Sequence, residues 1–495
     1  MSYFTLPKIH NIDSLKFCVT YNSKEKIPCI INKSLSSYLN NLKNEIESSG
    51  IKWDIYKKFT NPYEYIHTNI DNLKFSVSKY RPLSRSFYKM IEICDTFKIF
   101  NNINCPIKTF HLAEGPGGFI EAITHIRNNN LDKYYGMTLI NNEDCNIPGW
   151  NKSHSFLTKN LNVFLEYGYD KTGDLMNCNN LKYIHKIYKN SCYFVTADGG
   201  FDFTSSFDYQ EIVSSKLILS QFAFIIAVQA YNGHCVIKMF DIFTKPSIDI
   251  IYILSNLYEN VYITKPNTSR YANSEKYIVC KNFKIRNVDN LINIFYNIIK
   301  SFNNNSNNSK YISNVLKNDI PLLFLNKLEE YISIIGQQQL DNISSTLNLI
   351  HLNKIEKIDT LKKSNISKCV KWCCKYNFTY NKNYLLKYNL YKQEIKEEYK
   401  KNTTDNEYKE ILYKKNTTDN EYKEILYKKN KNFLLKSINR ENSESSMSSD
   451  SIETIESNES NESNESNESN ESNESNESNE SNEYIIVYDI NKNLK

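Results

Sequence analysis

Short apolar runs recur along the middle of the chain: IKTFHLA (107–113), YYGMTLI (134–140), NVFLEYG (162–168), CYFVTAD (192–198) and HCVIKMF (234–240). Each has the length and the β-branched or aromatic content of a buried strand. Apolar positions at helical spacing lie between them, near 118–128 and from Gln210 to Ala230. Strands alternating with helices predict a mostly parallel, doubly wound α/β sheet. NVYITKP (260–266) and KYIVCKNF (276–283) follow with no room for a helix between them. They are expected to close the sheet as an antiparallel hairpin at its end.

The pattern changes on both sides. Residues 1–79 read as a mixed N-terminal extension to a domain at 80–300. SFNNNSNNSK (301–310) is polar and reads as a linker marking a boundary. Helical spacing returns in LLFLNKLEEYISIIGQQQLDNISSTLNLI, so 311–440 is expected to be helical. That region includes KNTTDNEYKEILYK twice in tandem, at 401–414 and 415–428. From Ser457 to Glu483 the triplet SNE repeats nine times with nothing apolar to bury, so 441–495 is expected to be disordered.

Charge sharpens this division. The formal net charge of +5 conceals a tail, 441–495, with 15 acidic and 2 basic side chains. The other 59 bases and 41 acids leave a body of about +18, which suits a polyanionic partner such as RNA. The mean hydropathy is −0.56. The longest apolar run, 217–231, is interrupted by Gln221 and Gln229 and reads as a buried helix, with no membrane partner expected. No secretory leader is visible in MSYFTLPKIH, and the 12 cysteines are scattered singly apart from Cys369, Cys373 and Cys374. Reduced thiols in a cytoplasmic or nuclear protein are expected, or in a viral factory or virion if the source is viral, and not a secreted protein. The spacing of CVKWCCKY (369–376) fits a helix core better than a zinc site.

The candidate chemistry starts at HLAEGPGGFIEA (111–122), a glycine turn between a strand and a helix. No Lys-Ser/Thr pair follows the last glycine, so it is not a phosphate-binding P-loop. The order Gly115, Pro116, Gly117, Gly118 is not a dinucleotide fingerprint either. Such a turn still lets a small ligand approach the backbone at a strand's carboxyl end.

SRSFYKMIEI (84–93), LAEGPGGF (112–119), ADGGFD (197–202), VIKMFD (236–241) and KPNTSRYANSEKYIVC (265–280) occur in that order. Over about residues 80–285 the chain resembles the FtsJ-like (RrmJ-type) ribose 2′-O-methyltransferases, closest to the branch that methylates mRNA caps. The resemblance implies a Rossmann-like methyltransferase sheet and S-adenosylmethionine (AdoMet) as cofactor. It implies a catalytic tetrad of Lys89, Asp198, Lys238 and Glu275, with no metal required. Glu114, Gly115, Pro116, Gly117, Gly118, Phe119, Asp174 and Asp198 would bind the cofactor. Related enzymes usually carry an acid where this chain has His111; Glu114 is the candidate substitute, and His111 also reads as a core histidine. Substrate RNA, a capped mRNA 5′ end, would meet Arg85, Ser269, Arg270, Asn273 and Ser274. Other capping or transcription subunits are the further partners implied. Alternatives are a ribosomal or transfer RNA 2′-O-methyltransferase and a non-catalytic RNA-binding subunit. Two close ammonium groups and partial burial would depress a lysine pKa, so that Lys238 could take a hydroxyl proton or stabilise an alkoxide.

Overall fold

The computed structural model describes residues 1–382 apart from 10–14, 71–72, 142–146, 201–208, 304–309 and 353. The tandem duplication and the acidic tail lie outside the described residues. Met1–Tyr384 packs as one unit. Its elements are β1 (Tyr3–Thr5), β2 (Phe17–Asn22), α1 (Lys33–Thr60), α2 (Ser86–Phe97), β3 (Lys108–Leu112), α3 (Gly118–Arg127), β4 (Lys133–Met137), α4 (His154–Lys159), β5 (Val163–Glu166), α5 (Cys178–Tyr188) and β6 (Cys192–Ala197). There follow α6 (Gln210–Val213), α7 (Ser215–Val228), β7 (Gln229–Met239), α8 (Lys245–Leu257), β8 (Tyr258–Thr264), β9 (Lys276–Phe283), α9 (Asp289–Lys300), β10 (Tyr311–Leu316), α10 (Leu322–Leu352) and α11 (Ile355–Lys375).

The main sheet has the order β1-β8-β9-β7-β6-β3-β4-β5. Strands β3 to β7 run parallel, and β9 is antiparallel to both its neighbours. Buried strands and helices that are apolar on most faces explain this doubly wound architecture. In α7, SKLILSQFAFIIAV, nearly every residue is buried, as a helix covered on all sides must be. The two glutamines in that apolar stretch are used internally. Gln221 Oε1 accepts the Gly199 N–H at 2.8 Å, and Gln229 Nε2 donates to the Cys192 carbonyl at 3.0 Å. No described helix is long and apolar enough to cross a membrane.

Three sequence expectations change. Strands β8 and β9 pair antiparallel as expected, but their hairpin is not the end of the sheet. Helix α8 carries the chain past one position before β8, and β9 fills the slot against β7. Beyond β8, β1 adds as the edge strand with Phe4 opposite Ile263. The start of the region expected to be helical, Tyr311–Leu316, is instead a strand paired with β2. Its Val315 and Leu316 N–H groups donate to Asp249 Oδ2 at 2.8 and 2.9 Å. The flanking regions also pack within the same unit as the central region: α10 lies along α1 and α11 against the 3-10 turn Glu64–Ile66, while β10 packs on α8.

Candidate active site

Strand register brings the candidate residues to one end of the sheet. Leu112 on β3 sits beside Ala197 on β6, and Ala197 beside Ile237 on β7. Asp198 and Lys238 therefore follow at the same level, where parallel sheets present ligand sites. Lys238 is opposite Tyr277 on the antiparallel β9, which places Glu275 just before that strand begins. Lys89 arrives from α2.

The four side chains form two joined ion pairs. Lys89 Nζ lies 2.7 Å from Glu275 Oε1 and 2.8 Å from Oε2. Lys238 Nζ donates to the Asp198 carbonyl oxygen at 2.6 Å and lies 3.3 Å from Asp198 Oδ1. Tyr277 links the pairs. Its hydroxyl donates to Asp198 Oδ1 at 3.1 Å and lies 3.4 Å from Lys89 Nζ. The four side chains keep only 12 to 15% of their surface exposed, so they are nearly desolvated yet still reachable. Tyr277 lies within KPNTSRYANSEKYIVC but carries no signal of its own in the sequence, because an aromatic residue in an apolar strand reads as core.

The expected depression of Lys238 is reversed. Burial favours its neutral form, but the carboxylates of Asp198 and Glu275 outweigh burial and raise its pKa above the ordinary lysine value. Glu275 is buried too, yet Lys89 and Lys238 hold it ionised, well below the usual carboxylate range. Burial raises the Tyr277 hydroxyl far above its ordinary value, so it stays a donor.

The glycine turn stands next to this cluster. Gly117 has φ +102°, and its N–H donates to the Glu114 carbonyl at 2.6 Å. A side chain on Gly118 would lie 2.1 and 2.2 Å from the Ser86 and Ser84 hydroxyls. This glycine therefore lets α3 start flush against the start of α2, the helix that carries Lys89. Glu114 is buried; its Oε1 accepts the Phe119 N–H at 2.6 Å, while buried Oε2 has no partner among the described residues. Burial and the nearby Asp198 charge raise its pKa well above the ordinary value. Trp150 packs beside Gly117, and its buried Nε1 also lacks a partner among the described residues. Two carboxylates that repel, one with an orphaned oxygen, form a setting that an arriving cation would stabilise. AdoMet carries such charges on its ammonium and sulfonium groups, so these residues fit it. Asp174, half-buried, accepts the Met176 N–H at 2.8 Å, and burial raises its pKa.

His111 has the bland role. It is buried inside β3, hydrogen-bonded to Thr109 at 2.8 Å and Thr196 at 2.7 Å, and burial lowers its pKa to about 3. Its neutral ring exchanges hydrogen bonds with two threonine hydroxyls, which occupies both ring nitrogens.

The RNA candidates separate by exposure. Arg85 is tied internally, to the Thr268 carbonyl at 3.1 Å, the Tyr63 carbonyl at 3.2 Å and Glu64 Oε2 at 3.0 Å. Ser269 is buried and donates to Glu275 Oε1 at 2.6 Å; Ser274 is buried against Gln210. Arg270 grips Glu64 through Nε (3.0 Å) and one terminal nitrogen (2.7 Å) and keeps about a third of its side chain exposed. Asn273 is exposed. Cys369 and Cys373 are buried in α11, as a helix core requires.

With this geometry in place, the comparisons with known proteins are specific. Residues 82–283 match the family model of the FtsJ-like methyltransferases. This segment resembles the FtsJ-like methyltransferases. Its curated relatives include the mouse cap-specific mRNA (nucleoside-2′-O-)-methyltransferase 1, 36% identical over 179 residues, which is 35% of this chain and 21% of that protein. The human protein of the same name is 34% identical over the same shares. The Xenopus laevis protein is 32% identical over 210 residues, 41% of this chain and 24% of that one. The chain thus spans about a fifth to a quarter of the length of these relatives.

Proposed function

We propose that this chain transfers a methyl group from AdoMet to the ribose 2′-oxygen of RNA, acting on the first transcribed nucleotides of a capped mRNA. The observation that carries the reading is the Lys89–Glu275 and Lys238–Asp198 pairs, bridged by Tyr277, beside a glycine turn with an unpaired buried carboxylate oxygen. The cap substrate is supported by the named activity of the relatives, and RNA by the basic body of the chain.

Glu114 and the Gly115–Phe119 turn would hold AdoMet on the Asp198 side, with Trp150 against Gly117 and Asp174 on the neighbouring loop. When bound, AdoMet supplies a methyl group already activated on a sulfonium, so the protein's task is to prepare the hydroxyl. Lys89 and Glu275 fix one edge of the place where that hydroxyl sits. Lys238 fixes the other and takes the hydroxyl proton when its amine is neutral. Asp198 and Tyr277 aim the Lys238 amine. Since the carboxylates hold Lys238 charged, its reactive neutral form is the minor one at neutral pH. Holding the hydroxyl in line supplies much of the rate, because correct orientation alone is worth several kcal/mol, about 7 at the least for ideal intramolecular cases. Arg270 and Asn273, the most exposed of the RNA candidates, would meet the strand beside the target ribose.

The test supplies purified protein with radiolabelled AdoMet and capped, uncapped or ribosomal RNA, then identifies the labelled nucleotide. Label at the first transcribed nucleotides of capped RNA alone supports the reading. Label at internal positions, or equal labelling of uncapped RNA, replaces the cap by another RNA substrate. RNA binding without transfer to any of the three favours a binding subunit.

A further inference from the structure

Glu275 sits at the end of an eleven-residue loop, 265–275, that contains no helix or strand. An irregular loop must be held from outside if its last side chain is to keep a fixed direction. The described anchors fall into two groups. Those within residues 82–283 include Glu92, which accepts the Asn267 and Thr268 N–H groups at 2.7 and 3.0 Å, Arg85, whose Nε donates to the Thr268 carbonyl at 3.1 Å, and Lys265, whose Nζ donates to the Glu275 carbonyl at 3.0 Å.

The others come from outside residues 82–283. Glu64, in the N-terminal extension, is fully buried and takes Arg270 in a two-pronged charge-assisted pair while also holding Arg85. Gln339 on α10 is buried, and its Nε2 donates to the Ala272 carbonyl at 3.1 Å. Trp372 on α11 donates its indole N–H to Glu92 Oε1 at 2.8 Å, the same oxygen that accepts Thr268. Three separate flanking segments thus converge on one loop. The loop in turn passes the constraint to the reaction cluster, because Ser269 donates to Glu275 Oε1 at 2.6 Å.

We propose that Glu64, Gln339 and Trp372 are positioning residues that clamp loop 265–275 and set the direction of Glu275, making the N-terminal extension and helices α10 and α11 working parts of the site. The inference rests on the methyl-transfer reading for its consequence in rate. The physical reason is geometric: a pair of ions 2.7 Å apart between Lys89 and Glu275 tolerates little drift, and a displacement of about 1 Å in a reacting constellation can cost about 100-fold in rate.

Gln339→Met gives the cleanest test. It keeps volume and removes one hydrogen bond, and the other amide atom, Oε1, has no partner among the described residues to lose. The variant is expected to lower kcat about 10-fold with unchanged AdoMet affinity and an unchanged denaturation midpoint. In a Glu275→Gln background it should cost nothing further, since residues acting through one group are non-additive. Unchanged kcat, or the same loss in the Glu275→Gln background, overturns the proposal. Hydrogen exchange separates this from failure of the proposed reaction. Loop amides at 267–275 should exchange faster in Gln339→Met and in Glu64→Gln, whatever the activity. If they do not, the clamp is absent. If they do and the wild type methylates no RNA, the reaction was misassigned and the anchoring stands.

Discussion

Replacing Lys238 separates its two jobs. The ammonium lies 2.6 Å from the Asp198 carbonyl and 3.3 Å from its carboxylate, with about 13% of the side chain exposed. Lys238→Met removes the group proposed to take the hydroxyl proton, and loss of a positioned general base costs about 100- to 10,000-fold. It also leaves Asp198 partly buried with the Tyr277 hydroxyl as its remaining donor among these groups. Breaking a fully buried pair costs about 3–5 kcal/mol; residual solvent access and that hydrogen bond reduce the expected loss to about 2 kcal/mol. AdoMet binding should not weaken, because removing a positive charge beside Asp198 and Glu114 makes the pocket more favourable to a cationic ligand. Lys238→Arg is the control: it keeps the charge and cannot lose a proton at neutral pH. Single-turnover transfer, AdoMet affinity by calorimetry and urea unfolding would be measured on wild type and both variants. Both are expected to be nearly inactive with AdoMet affinity retained. Substantial activity in Lys238→Arg would show that charge alone suffices and refute proton transfer to Lys238. A parallel collapse of AdoMet affinity would move Lys238 into cofactor binding.

The rate of transfer should rise with pH from 6 to 8, because the raised Lys238 pKa makes its neutral amine scarcer at the acid end; a flat or falling profile over that range counts against Lys238 as the base. Glu114→Gln should weaken AdoMet binding about 10-fold, the order expected for a hydrogen bond to a charged group, while stabilising the free protein at neutral pH; urea unfolding and calorimetry read the two effects, and a tighter complex would contradict the assignment. The sign follows from the raised pKa: folding then disfavours the ionised carboxyl, so its contribution worsens as pH rises above the unfolded value. His111 works in the opposite range. With a folded pKa near 3 against the ordinary 6.5, its contribution is complete above about 6.5 and falls as pH drops toward 3, and His111→Gln should flatten the stability–pH curve there by about one proton.

How much of this was visible in the chain itself varies with how local the cause is. The parallel strands were legible because buried strands are short apolar runs, and β3, β6 and β7 carry Leu112, Ala197 and Ile237 in such runs. Helix α8 was not, since PSIDIIYILSNL is buried on every side and a short, mostly apolar run of this kind does not declare itself as helix or strand. The insertion of β9 between β7 and β8 depends on long-range pairing that no local pattern reports. Lys89, Asp198, Lys238 and Glu275 were found by motif, and the structure brings all four together. The charge state of Lys238 was misjudged because its carboxylate neighbours, Asp198 just past β6 and Glu275 just before β9, reach it from segments about 40 residues away in sequence. Glu64, Gln339 and Trp372 carry no motif; each acquires its role from a loop about 70 to 200 residues away in sequence.

The central claim is methyl transfer to a ribose hydroxyl at the 5′ end of capped RNA. Its most direct measurement is nucleotide mapping of the label after reaction of the full chain with radiolabelled AdoMet and a short capped RNA. The predicted result is a 2′-O-methylated first transcribed nucleotide, absent in Lys238→Met. Label on a base, on an internal ribose, or retained in Lys238→Met would contradict it.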